Sequence, residues 1–231
     1  MFDPLNDRMK EIAVVSSDYL LVSNKECRDL QDEFASKTGI PFSESKVMFN
    51  GKSYARFLKT DQFTQSVNVG DDIALGLYAM NSYDGSVKLQ FGLYAERLVC
   101  SNGMVSKSIF ESYVFKHDKA NQTWAEKLNE AFQILYIGYA ESNLKDFVGH
   151  LRSMSQTGID LNCLADIRKN ELKQLPISTW GHVVDQFITQ EEHTEYGLYN
   201  AVTHELWHKD DTSAADIKTI RNITDLMLAS A

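Results

Sequence analysis

Apolar residues follow two rhythms along this chain, and the rhythm changes near residue 118. Before that point they recur mostly at every second position, as in strands with one buried face. After it they recur every three or four residues, as in amphipathic helices. Residues 12–22 predict strand or turn, broken at Ser16-Ser17-Asp18. Asn24 is the expected N-cap of a first helix. Cys27, Leu30 and Phe34 fall on one face of it, and Gly39 ends it. Ile40-Pro41 then requires extended chain. A hairpin follows: Val47-Met48-Phe49 and Ser53 to Leu58 flank Asn50-Gly51, a pair that favours a type I′ turn because both residues tolerate positive φ. A second hairpin joins Ile73–Ser82 to Val87–Phe91 through Asp84-Gly85. Its last strand is expected to run on to Cys100 and stop at a turn, Ser101-Asn102-Gly103.

The second half predicts helices. Thr123-Trp124-Ala125-Glu126 is a capping box, in which hydroxyl and carboxylate each satisfy a free backbone N–H. The helix it starts is expected to extend to about Met154. Further helices are expected at Leu161–Leu175, ended by Pro176, and at Thr179–Thr189, Glu195–His208 and Ala214–Leu228. The fold class is therefore α+β: one antiparallel sheet of hairpins, about four or five strands, packed against helices, with a mostly helical C-terminal half. The expected organisation is a single domain, 1–231, with its sheet-containing half at 12–118 and its helical half at 119–231.

Composition narrows the class. With 43% hydrophobic residues, 12 Phe, 10 Tyr and 3 Trp the chain can bury a sizeable core, and 3 Pro leave little room for long linkers. No apolar run is long enough to span a bilayer, and the first residues lack the basic-then-apolar pattern of a secretory signal. Cys27, Cys100 and Cys163 are odd in number and far apart, which excludes a disulfide framework. A soluble cytoplasmic protein without membrane partners is expected. The net charge of −9 argues against a general duplex-DNA binder, and the acidic excess lies mostly beyond residue 110.

Two stretches carry candidate chemistry. His204-Glu205-Leu206-Trp207-His208 is a literal H-E-x-x-H, which on a helix places two imidazoles on one face with a carboxylate beside them. A zinc-dependent hydrolase would use His204 and His208 as ligands and Glu205 as general base. Such a site needs a third protein ligand. No Glu follows Glu205, and Asp211 and Ala214 stand where a metzincin continues with Gly and His. Zinc is therefore the alternative, and no cofactor the first expectation. The first hairpin carries four basic residues and no acid from Lys46 to Lys59. Alternation puts Lys52, Tyr54 and Arg56 on one strand face. Basic groups interleaved with an aromatic ring suit single-stranded nucleic acid. Arg97, within an apolar strand, requires a carboxylate or phosphate partner.

Four motifs stand in a recognisable order: Tyr83-Asp84-Gly85-Ser86, Arg97-Leu98-Val99-Cys100-Ser101-Asn102-Gly103, Phe115-Lys116-His117 and Tyr196-Gly197-Leu198-Tyr199-Asn200-Ala201-Val202-Thr203. This order resembles the phage- and plasmid-borne family known as domain of unknown function 932, on its motif residues Asp84, Gly85, Arg97, Cys100, Asn102, Gly103, Asn200 and Thr203. Tyr83 replaces the family's usual His and Tyr196 its usual Trp. The family commonly has Glu and apolar residues after the Thr, so the H-E-x-x-H is a local addition. The resemblance implies a phage or plasmid setting and roles in recombination, replication or counter-defence. The element order is also similar to the core of single-strand annealing proteins. The expectation is a homo-oligomeric protein that binds or anneals single-stranded DNA through Lys52, Tyr54, Arg56, Lys59, Lys88 and Arg97. The alternatives are the zinc hydrolase and a protein-binding module such as a host-defence inhibitor.

Overall fold

The structure, a computed structural model, describes residues 2–3, 8–9, 13–99, 102–104, 106, 110, 112–130, 140–190, 193–209 and 212–230. Two short strands, β1 (Phe2–Asp3) and β2 (Arg8–Met9), pair with each other. Residues 13–22 form no strand. They hold a turn in which Tyr19 N–H donates to Ser16 O, at the predicted break. Helix α1 (Asn24–Thr38) is capped by Ser23 rather than by Asn24. The Ser23 hydroxyl accepts from the Glu26 N–H, and Glu26 returns a carboxylate to the Ser23 N–H, so the capping box lies one residue earlier than expected. Gly39, at φ 69°, ends the helix in the left-handed conformation.

The main sheet has six strands, all antiparallel: β3 (Ser43–Phe49), β4 (Ser53–Asn68), β5 (Asp71–Ser82), β6 (Leu89–Arg97), β7 (Asn102–Met104) and β8 (Ser112–Phe115). The spatial order is β3-β4-β5-β6-β7, and β8 pairs with the other end of β6. The expected α+β class holds, with one strand more than expected because β7 and β8 share β6. The β3–β4 connection is Asn50-Gly51-Lys52, one residue longer than a two-residue I′ turn. The Asn50 side-chain oxygen accepts from the N–H groups of Lys52 and Ser53 at 3.0 and 2.8 Å and holds it. β4 runs ten residues past the expected Leu58 and turns into β5 through Gly70, at φ 79°. β6 stops at Arg97, short of Cys100.

Asn102 and Gly103 form no turn. They belong to β7, opposite Arg97 and Glu96. The glycine is there for close approach rather than for positive φ: the Trp207 indole lies flat where a Cβ on Gly103 would project.

Helix α2 is described at residues 124–130 and α3 at Ala140–Gln156. Most of the interval between them, within the long helix expected here, lies outside the described residues. The helix expected at Leu161–Leu175 is a 3-10 turn followed by a short α4 (Leu164–Asn170). α5 (Ile177–Ile188), α6 (Glu195–Trp207) and α7 (Ala214–Ser230) fall where expected.

Helices cover both faces of the sheet. On one, Gln31 of α1 donates to the carbonyls of Arg56 and Leu77, and Trp124 stacks on Phe91. On the other, Trp207 of α6 packs edge-on to Phe57 and nearly parallel to Tyr94. Buried side chains from sheet and helices join in one hydrophobic cluster. Among the described residues no helix is long and apolar enough to cross a membrane.

Candidate functional site

The basic residues singled out from the sequence divide into two sets. Arg56 and Tyr54 do share a strand face, but α1 covers it. Tyr54 is buried. Arg56, 11% exposed, is bonded to Asp32 and Glu44 at 2.6 and 2.8 Å. These two carboxylates outweigh burial and raise its pKa further. Lys59 points from the opposite face onto Glu96, which is fully buried, at 3.0 Å. Tyr94 donates to the same carboxylate at 2.8 Å, as does Ser45. Burial and then this carboxylate push the Tyr94 hydroxyl well up, so it remains a donor. Arg97 grips Asp71 through Nε and Nη2 at 2.6 and 2.9 Å, and lies over the Tyr196 ring at 5.6 Å. The partner that Arg97 requires is thus a carboxylate. Lys52 and Lys88 are exposed, and neither makes an ion pair among the described residues.

The family-motif residues are framework. Asp84 accepts from Ser86 N–H at 3.0 Å; hydrogen bonding to the Ser86 side chain first, and to this N–H after it, lowers its pKa, and Gly85 has φ 76°. The Tyr83 hydroxyl accepts from Asn24 N–H at 3.0 Å, tying the hairpin to α1. Tyr196, the other departure, donates to Asp71 at 2.9 Å. Asn102 Nδ2 reaches Asn200 O at 3.4 Å, and Thr203 donates to the carbonyls of Tyr199 and Asn200. Cys100 lies outside the described residues. Lys46 reinforces this seam: its ammonium donates to Trp207 O and to Thr212 Oγ1 and sits 5.0 Å over the indole. Burial lowers its pKa.

His204 and His208, at the end of α6, do lie side by side, ring centroids 4.6 Å apart and tilted by 39°. Their surroundings are those of a packed helix end. His208 Nε2 is 3.0 Å from Asn102 Oδ1, and Glu205 lies 3.4 Å from His182 Nδ1. No group of three or more His, Cys, Asp or Glu able to hold a metal occurs among the described residues.

The sheet face that carries Trp207 also forms an open cleft of about 600 Å³. Its floor is Tyr78, Met80 and Gln90 from β5 and β6. One wall is α7, where Ala214, Lys218 and Arg221 follow at i, i+4 and i+7 on one helix face. Lys88 and Val114 line the other side, and Asn50 and Ser53 bring in the turn that carries Lys52. Among the described residues no Asp or Glu lines this cleft. A small hollow beside it shares Asn50, Ser53, Ser213 and Ala214; Phe49, 52% exposed at its edge, pairs with Tyr54 and so belongs to the α1 face of the sheet. Tyr78 is buried under the cleft, and burial raises its pKa.

The wall is fixed at its start. Asp216 accepts from Ser213 N–H and hydroxyl at 2.9 and 2.7 Å and pairs with Lys209 at 2.8 Å. Burial opposes ionisation of Asp216, but these bonds win and lower its pKa. Lys218 and Arg221 were missed from sequence. Their helical spacing is visible there, but the surface they share is not.

An antiparallel sheet with helices on both faces and a basic cleft under its last helix defines an α+β protein with a surface suited to anions. The chain belongs to the family described as Domain of unknown function (DUF932), whose model matches residues 11–227. No curated protein and no solved structure matches it.

Proposed function

We propose that the protein binds single-stranded nucleic acid, with the strand's phosphates in the cleft under α7. The observation that carries this reading is the cleft itself. In a chain of net charge −9, Lys88, Lys218 and Arg221 line a cavity with no acidic residue among the described ones, and the turn that carries Lys52 borders it. Cations gathered in one cavity supply the backbone attraction that single-stranded nucleic acid needs. The cleft's volume lies in the range of sites for one small ligand, which fits a strand entering by one or two nucleotides. Overall negative charge disfavours the denser charge of a duplex. Arg56, Lys59 and Arg97 support the scaffold, and Lys52 and Lys88 act together with Lys218 and Arg221. Annealing follows where several such clefts line up in a homo-oligomer.

The test is fluorescence anisotropy with labelled oligo-dT and a duplex of equal length. The expected result is saturable binding to oligo-dT and weaker binding to the duplex, with Lys88→Gln and Lys218→Gln each reducing affinity. No binding to oligo-dT, or equal binding by the double variant, refutes the reading.

A further inference from the structure

Arg221 stands out within the cleft. Its Nε is buried and has no hydrogen-bond partner among the described residues. A buried donor without a partner is rare in a folded protein and marks a place where water or an ion belongs. Other buried atoms share this condition, but they lie elsewhere. Arg221 alone combines it with a cation-lined cavity, one helical turn from Lys218 and across from Lys88. A guanidinium fork beside two ammonium groups matches the oxygens of a phosphate group. Tyr78, neutral beneath it, adds no competing charge.

We propose that the cleft contains a discrete phosphate subsite, centred on Arg221 and completed by Lys218 and Lys88, which takes a phosphate group without any attached base. The proposal deepens the nucleic-acid reading by naming its recognition unit, and it rests on the same cleft. One phosphodiester of a bound strand occupies this subsite.

The probe is inorganic pyrophosphate, compared with sodium chloride of equal ionic strength. The expected result is a rise in Tm of the whole chain with pyrophosphate and not with chloride, and displacement of labelled oligo-dT by pyrophosphate. Arg221→Gln should weaken pyrophosphate binding at least about tenfold, the loss expected for charge-assisted hydrogen bonds. Lys88→Gln and Lys218→Gln, at exposed positions, carry the same test should Arg221→Gln fail to fold. Equal Tm shifts in wild type and all three variants, or no shift in wild type, overturn the subsite. Oligo-dT binding that is unchanged in Arg221→Gln also overturns it and leaves the strand reading standing. Pyrophosphate binding without oligo-dT binding upholds the subsite and removes the strand reading.

Discussion

Trp207 and Arg221 stand over the same face of one sheet, and their surroundings are opposite. Around Trp207 every described cation has a partner: Lys59 holds Glu96, and Lys46 holds the Trp207 carbonyl. The backbone comes close enough there that only glycine fits at position 103. Around Arg221, Lys88 and Lys218 are exposed and no acid among the described residues lines the cavity. The difference separates basic residues that hold the fold from those left to meet a ligand. A lysine bonded to a buried carboxylate costs stability when removed; a solvated, unpaired one costs almost nothing. The seam therefore governs whether the protein folds, and the cleft governs what it binds.

The largest effect is expected from Trp207→Ala, which empties the space between Phe57, Tyr94 and Gly103. It should cost about 3–5 kcal/mol in urea unfolding, and a smaller loss would make the seam less central. Next, Lys59→Met takes the ammonium from the buried Glu96 and leaves Tyr94 and Ser45 as its donors among the described residues. The expected cost is about 3 kcal/mol, against less than about 0.5 kcal/mol for Lys88→Met. Equal costs would erase the contrast between the two regions.

The smallest effect concerns acid. Asp216 has a pKa below its ordinary value in the folded state, so it contributes stability above the unfolded value of about 3.9. That stability is lost as pH falls below it through the folded pKa. Asp216→Asn should cost about 1 kcal/mol at neutral pH, and the difference from wild type should vanish in an unfolding series taken down through pH 4 to pH 2. A constant difference would place the effect elsewhere.

The local parts of the fold were legible because their causes are local. Gly39 had to end a helix, Asp84-Gly85 had to turn, and Glu195 to His208 carried helical signals throughout. Asn102-Gly103 misled because a glycine gives the same signal for a turn and for close packing. Trp207, which decides between them, is distant in sequence. The same limit applies to charge. Arg56, Lys59 and Arg97 looked like Lys52 and Lys88 until the fold brought Asp32, Glu44, Glu96 and Asp71 to them. The order of motifs identified the family, which the match over residues 11–227 establishes. Those motif residues described here proved to be framework, and the cleft lies beside them. Lys218 and Arg221 have no partner signal in the sequence at all, since an amphipathic helix carries such residues on any solvated face.

The most direct test of the central claim is the salt dependence of oligo-dT binding, measured for wild type and for the Lys88→Gln/Lys218→Gln double variant. With four phosphate contacts, log affinity should fall with log salt at a slope of about −2.8, and the double variant should show about −1.4. A wild-type slope near zero, or the same slope in both proteins, would contradict the assignment of the cleft as the site where nucleic acid binds.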